Sequence, residues 1–279
     1  MAANKAAGRL AQITAQHEAL ARMRHDEDIS AEARQLSRQT DSTQFEASAS
    51  DEYVPLNWKP GAGGHRPNAG TLRLLQQVGG IDAIARFTDR FYQRAFADPH
   101  IDQFIRDHAD PHGTRFAAWI AEKFGDGTPW TKERRSRSVC PFQSHGHQLQ
   151  SPHDRSSAHF AAWHSPKREP ENFGEHFKLD DCRVWMRLHF WAMREVGLFE
   201  DCPQFCEYYI KFLGHFVSVY EQSATVFARE SARWSADPLN VERYLANGNQ
   251  MEGVIGVKLQ QALKTLPAEE RSGEWPYEY

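Results

Sequence analysis

The segment VGGIDAIARFTDRFYQRAFADPHIDQF at residues 78–104 is the strongest indicator of the fold class. After a Gly-Gly turn its apolar residues recur at intervals of three and four, the spacing of one helix face: Ile81, Ile84, Phe87, Phe91 and Ala95. Proline disfavours helix both at its own position and at the residue before it, so Pro99 should end the run. The segment therefore predicts one long amphipathic helix with an aromatic face.

The same periodicity continues on the C-terminal side of this segment. A second helix is expected to end at the glycine-rich stretch 125–129, and its apolar positions are Phe116, Trp119, Ile120 and Phe124. Further helices are predicted at 156–164, 180–196 and 203–226, with one or two more in the last 50 residues. The polar stretch 130–155 is predicted to be a long loop. Because no stretch shows sustained strand alternation, the predicted fold class is all-α.

Composition narrows the class of protein. The 279 residues contain 33 Lys plus Arg against 37 Asp plus Glu, a net charge of −4, which argues against a sequence-blind nucleic-acid binder. No run approaches the roughly 20 apolar residues of a membrane-spanning helix, and the first residues lack a signal-peptide core. The four cysteines form no C-x-x-C pair, so a reducing cytoplasm is expected. Histidine, the commonest metal ligand, occurs 14 times.

Several aromatic and histidine residues share helix faces that could enclose an apolar cavity. Tyr92 lies beside the stripe of the first helix, and Trp185 lies on the helix 180–196. The helix that begins near His112 carries Phe116 and Trp119 on the same side. Together with a further histidine near residue 160, this set would suit a flat apolar cofactor whose metal needs an axial imidazole.

Four segments, in order, resemble a truncated haemoglobin of the second subgroup: 78–104, DPHGTRFAAWIAEKFGDGTPWT at 110–131, AAWHSPKR at 161–168 and DCRVWMRLHFWA at 181–192. The similarity covers about residues 72–225 and implies a two-over-two helical globin core that binds haem b. Two features depart from the pattern. Ile105 occupies one of two candidate places for the usual corner aromatic, the other being Phe104, and residues 166–177 would be an insertion.

The resemblance assigns roles to individual residues. Tyr92 matches the distal tyrosine, and His112, Phe116 and Trp185 match other distal positions. His164 matches the proximal iron ligand, because an apolar residue precedes it by four. His159 is the second candidate for the proximal iron ligand. It follows Ala158 in an Ala-His pair, which is also seen before the family's ligand. The arginines of the run 132–137 could hold the haem propionates or form an ordinary solvated face.

The resemblance implies reversible binding of a diatomic gas (oxygen, nitric oxide or carbon monoxide), with hydrogen bonds from Tyr92 and Trp185 slowing its release. His112 could instead coordinate the iron itself. Two other functions stay open. One is a haem-dependent nitric oxide dioxygenase or peroxidase, which would need a separate reductase because the chain shows no flavin or nicotinamide fingerprint. The other is a globin-like sensor or interaction module without haem.

The regions outside the resemblance are expected to be additions to this core. Residues 1–70 are predicted to form an N-terminal helical or linker extension, residues 71–226 the haem domain and residues 227–279 a C-terminal helical extension. The last region has enough apolar residues either to pack on the core or to lie across a homodimer interface. The sequence leaves both arrangements open.

Overall fold

The computed structural model describes residues 65–137, 143–144, 147–148 and 155–271, so nearly all of the predicted N-terminal extension lies outside the described residues. The α-helices in chain order are α1 Ala69–Gln77, α2 Gly80–Ala97, α3 Pro99–Asp102, α4 His112–Phe124, α5 Pro129–Ser136, α6 Arg155–Trp163, α7 Leu179–Glu195, α8 Leu198–Asp201, α9 Pro203–Ser218, α10 Ala228–Trp234, α11 Pro238–Ala246 and α12 Leu259–Leu263. Short 3₁₀ helices are Pro170–Asn172, Gln222–Phe227 and Ala268–Glu270.

The described part of the chain confirms the predicted all-α class. Its β structure is a single antiparallel pair of two-residue strands, β1 Gln143–Ser144 and β2 His147–Gln148. Within the described ranges, every helix is too short or too polar to cross a membrane.

Helices α2 and α4 approach each other closely and form one side of the core. The Thr88 hydroxyl donates to the main-chain carbonyl of Gly113 at 2.8 Å. A Cβ atom at Gly113 would lie 1.9 Å from Asp89 Oδ1 and 2.9 Å from the Asp89 Cα, a backbone atom that no side-chain rotation moves, so this crossing favours glycine. Helix α2 also packs against α7, and fully buried Phe87 and Phe91 contribute to the hydrophobic clusters there.

Two predicted boundaries are wrong. The stretch 130–155 was expected to be loop, but Pro129–Ser136 forms α5. Pro129 occupies a first-turn position, and buried Glu122 of α4 accepts hydrogen bonds from the Thr131 N–H at 2.8 Å and its hydroxyl at 2.6 Å. The helix expected over 203–226 ends at Ser218 and is followed by a 3₁₀ helix. The side chain of Glu221 caps the start of this 3₁₀ helix by accepting a hydrogen bond from the Ser223 N–H.

The described part of the C-terminal region packs on the helical core, one of the two arrangements that the sequence allows. Buried Tyr244 of α11 contacts Trp191 of α7 and donates a hydrogen bond to buried Asp98 at 2.9 Å. Glu230 of α10 forms ion pairs with Arg187 and, at 3.7 Å, with the fully buried Arg183. Residues 234–254 therefore share a hydrophobic cluster with α2 and α7.

Candidate functional site

A cavity of about 990 Å³ lies among α2, α4, α6, α7 and the end of α9. Its volume is at the upper end of the range of about 300–1,000 Å³ that small-molecule and cofactor sites occupy. Seven of the eight residues that the sequence analysis singled out line it: Tyr92, Phe104, His112, Phe116, Trp119, His159 and Trp185. The eighth, His164, does not.

Tyr92 and His112 form a polar pair on the cavity wall. Their rings stack with centroids 5.0 Å apart and an interplanar angle of 24°. Burial raises the pKa of Tyr92 far above its ordinary value, and the nearby Arg115 only partly offsets this. The phenol therefore stays protonated at any physiological pH and keeps a hydrogen to donate.

The hydrogen bond of His112 defines its tautomer. Its Nε2 lies 2.7 Å from the main-chain carbonyl oxygen of Asp107. A carbonyl can only accept, so Nε2 carries the hydrogen and donates it. Burial lowers the pKa of His112, which keeps the ring neutral and leaves Nδ1 as an acceptor. In this arrangement Nε2 is committed to Asp107, so coordination of a metal by Nε2 would require that bond to break.

Aromatic side chains form the apolar part of the wall. Phe116 stacks on Trp119 at 5.9 Å and tilts against Trp185 at 6.0 Å. Phe104 is buried, and Arg168 covers its ring at 4.6 Å. Ile105 lines the same cavity beside Phe104.

Behind this wall, His189 is a buried residue that the sequence analysis did not identify. It stacks on Trp185 at 4.8 Å, and its Nε2 lies 3.0 Å from the Tyr209 hydroxyl. Burial lowers its pKa to about 3, so the ring is neutral. His189 lies one helical turn after Trp185, so the sequence could have placed it on the same face, but this spacing is also typical of an ordinary core residue.

The two candidate proximal histidines lie in different environments. His159 lines the cavity, and its Nδ1 lies 2.6 Å from the Tyr220 hydroxyl. His164 lies just beyond the end of α6, where its Nδ1 donates to the Phe160 carbonyl at 2.8 Å. Its Nε2 is close to Gly174, where an added Cβ atom would be 3.2 Å away.

Helix geometry explains why only one of them reaches the cavity. Five residues correspond to about 140° around a helix, so two such positions cannot share a face. The preference for His164 over His159 thus finds no support in the geometry, which places His159 on the wall.

Charged residues lie at one end of the cavity. Arg115 pairs with Asp110 at 3.1 Å and with Glu133 at 3.0 Å, and Arg137 pairs with Glu133 at 2.8 Å. Arg106 also lines the cavity. Of the basic run 132–137, only Arg137 reaches it.

A cluster of His100, Asp180 and Asp181 lies beside the cavity and has the residue types of a metal site. Its atoms are already engaged: Asp181 pairs with His100 at 2.8 Å and accepts from the Lys178 N–H at 2.7 Å. Asp180 accepts from the Gly256 N–H at 2.9 Å. The ion pair with Asp181 raises the pKa of His100 against the opposing effect of burial. These contacts make the cluster a cap of α7.

Comparisons with models of protein families, with curated proteins and with solved structures give no match to this chain.

Proposed function

We propose that this protein holds haem b in the cavity and binds a diatomic gas there, in the manner of a truncated haemoglobin. The observation that carries the proposal is the position of His159, an imidazole on the wall of a large apolar cavity. Tyr92 and His112 line the same cavity from other helices. We infer that the axial ligand is His159 rather than His164.

The chemistry of the cavity fits haem, which is a flat apolar ring with a metal at its centre and two carboxylates at one edge. The aromatic walls would exclude water from the ring. Arg106, Arg115 and Arg137 could form charge-assisted hydrogen bonds with the carboxylates. His159 would hold the iron of haem, and haem would supply a metal centre able to bind a diatomic gas.

The chain's own residues would then control the environment of the gas. Tyr92 stays protonated and can donate a hydrogen bond into the cavity. His112 presents only its Nδ1 acceptor as long as Nε2 is bonded to Asp107. Tyr92 is therefore a donor that, with the indole of Trp185 on the same wall, we expect to slow release of a polar diatomic ligand such as oxygen.

Reconstitution of the purified protein with haem tests the proposal. We expect a Soret band, and a spectral change when carbon monoxide is added to the reduced protein. His159→Ala should lose haem retention, whereas His164→Ala, a matched change five residues away, should keep it. The reverse result would transfer the ligand role to His164. Absence of a Soret band in the reconstituted wild-type protein would overturn haem binding altogether.

The role of Tyr92 is tested separately by oxygen release. A hydrogen bond is worth about 1–1.5 kcal/mol, which corresponds to roughly a tenfold change in rate. Tyr92→Phe should therefore release oxygen about tenfold faster. Tyr208→Phe, which removes a hydroxyl outside the cavity, is the control. Equal release rates in all three proteins would contradict the assignment of Tyr92.

A further inference from the structure

Tyr220 occupies an unusual position beside the cavity histidine. It follows the end of α9, where the Tyr220 N–H donates to the Val217 carbonyl at 2.9 Å and the Glu221 N–H donates to the same carbonyl at 3.1 Å. The phenol ring meets the imidazole of His159 at 4.7 Å and 74°, and both rings pack against Phe177. The turn and the ring cluster together aim the hydroxyl at His159 Nδ1.

We propose that Tyr220 is a positioning residue that orients the His159 imidazole and accepts the Nδ1 hydrogen when Nε2 binds a metal. The inference rests on the proposed haem binding and adds a residue to that site. The hydrogen bond between His159 Nδ1 and the Tyr220 hydroxyl is 2.6 Å long.

The direction of this hydrogen bond follows from ring chemistry. A neutral imidazole has one N–H and one lone pair. When Nε2 uses its lone pair to bind a metal, the hydrogen must be on Nδ1, and Nδ1 must donate to the phenol oxygen. A phenol both donates and accepts, so Tyr220 can hold the ring in either tautomer before the metal enters.

The neighbouring His164 shows what is distinctive about this contact. His164 donates to the main-chain carbonyl of Phe160. A side-chain substitution at Phe160 would leave this carbonyl in place. His159 is held by a side chain 61 residues away. The hydrogen bond to the candidate ligand can therefore be removed by deleting one hydroxyl, with little change in volume.

Tyr220→Phe is the direct test, and Tyr208→Phe is its matched control. The Tyr208 hydroxyl is also hydrogen bonded to a histidine ring nitrogen, that of buried His65, away from the cavity. Both variants thus lose one hydroxyl that contacts one imidazole. The measurements are the haem dissociation rate, the iron–histidine stretching band in the resonance Raman spectrum of the reduced protein, and the melting temperature without haem.

Loss of a hydrogen-bond partner of a metal-ligating histidine typically weakens metal affinity about 10–100-fold. We expect Tyr220→Phe to release haem faster by a factor in that range and to shift the stretching band, with a melting temperature no lower than that of Tyr208→Phe. We expect Tyr208→Phe to leave the band in place. An unshifted band in Tyr220→Phe, or the same shift in both variants, would overturn the role of Tyr220 while leaving haem binding intact. Failure of the wild-type protein to bind haem would overturn both.

Discussion

Deleting the hydroxyl of Tyr244 tests how tightly the C-terminal region belongs to the core. That hydroxyl donates to Asp98 Oδ2 at 2.9 Å, and both side chains are buried. Asp98 Oδ1 accepts from the N–H groups of His100 and Ile101, which lie in the first turn of α3. Tyr244→Phe removes one hydrogen bond and keeps the ring that packs on Trp191.

The magnitude follows from the charge on the acceptor. A hydrogen bond to a charged group is worth about 1.5–3 kcal/mol, so Tyr244→Phe should lower the free energy of unfolding by about 2 kcal/mol at neutral pH. Burial raises the pKa of Asp98, and the bond from Tyr244 opposes this. The substitution should therefore raise the pKa further. Its cost should be largest above the folded-state pKa, where Asp98 is charged, and should shrink as the pH falls through that value.

Urea unfolding followed by tryptophan fluorescence measures this effect across the range from about pH 4 to about pH 8. A cycle of Tyr244→Phe, Asp98→Asn and the double variant isolates the interaction. We expect a coupling energy of at least about 1 kcal/mol at neutral pH. A coupling energy below about 0.5 kcal/mol, or a cost of Tyr244→Phe that grows toward low pH, would refute the reasoning.

Three further predictions concern the helices around the cavity. Gly113→Ala should cost about 3 kcal/mol or more, because its Cβ would lie 1.9 Å from Asp89 Oδ1 and 2.9 Å from the Asp89 Cα, which forces α2 and α4 apart. Glu122→Ala should cost about 1–3 kcal/mol and lower the helix content seen by circular dichroism, because Thr131 loses both of its contacts to that carboxylate. Burial lowers the pKa of His189 from 6.5 to about 3, so on acidification the imidazole is protonated in the unfolded chain before it is protonated in the folded protein. The free energy of unfolding should therefore fall as the pH drops from about 6.5 toward 3, and His189→Phe should make that fall shallower.

The first two of these have a control within the chain. Gly127, unlike Gly113, has a positive φ, of 59°, and an added Cβ there meets nothing within 4 Å. Gly127→Ala should therefore cost only the strain of its backbone, about 1 kcal/mol, and a loss equal to that at Gly113 would contradict the steric argument. Thr131→Val keeps the main-chain bond to Glu122 and should cost less than Glu122→Ala. An unchanged pH dependence in His189→Phe would show that other groups determine the acid response.

The helix faces were predictable because burial follows the local period. The stripe from Phe87 to Ala95 is buried as the three-and-four spacing indicates. The sequence did not predict helix α5, because the carboxylate that accepts a hydrogen bond from the Thr131 N–H in its first turn belongs to Glu122, on the preceding helix. The polar residues of one segment do not show that a side chain on another helix will accept hydrogen bonds from that segment.

The cavity-lining residues were largely predictable, whereas the partners behind them were not. His159 and His164 lie five residues apart, and the rotation along α6 together with its end at Trp163 gives them different environments. Tyr220 and Tyr209 reach their histidines across 61 and 20 residues. Such contacts arise from the packing of separate helices, which periodicity within one helix does not specify.

The two oxygens of Asp98 have a consequence for any partner of the C-terminal region. One oxygen caps α3 and the other holds Tyr244 of α11. The cavity is lined by Ile101, in α3, and by Phe104, just after α3. A molecule that binds α11 and displaces Tyr244 would thus alter the support of the cavity wall. By thermodynamic reciprocity, filling the cavity would change the affinity for that molecule by the same factor.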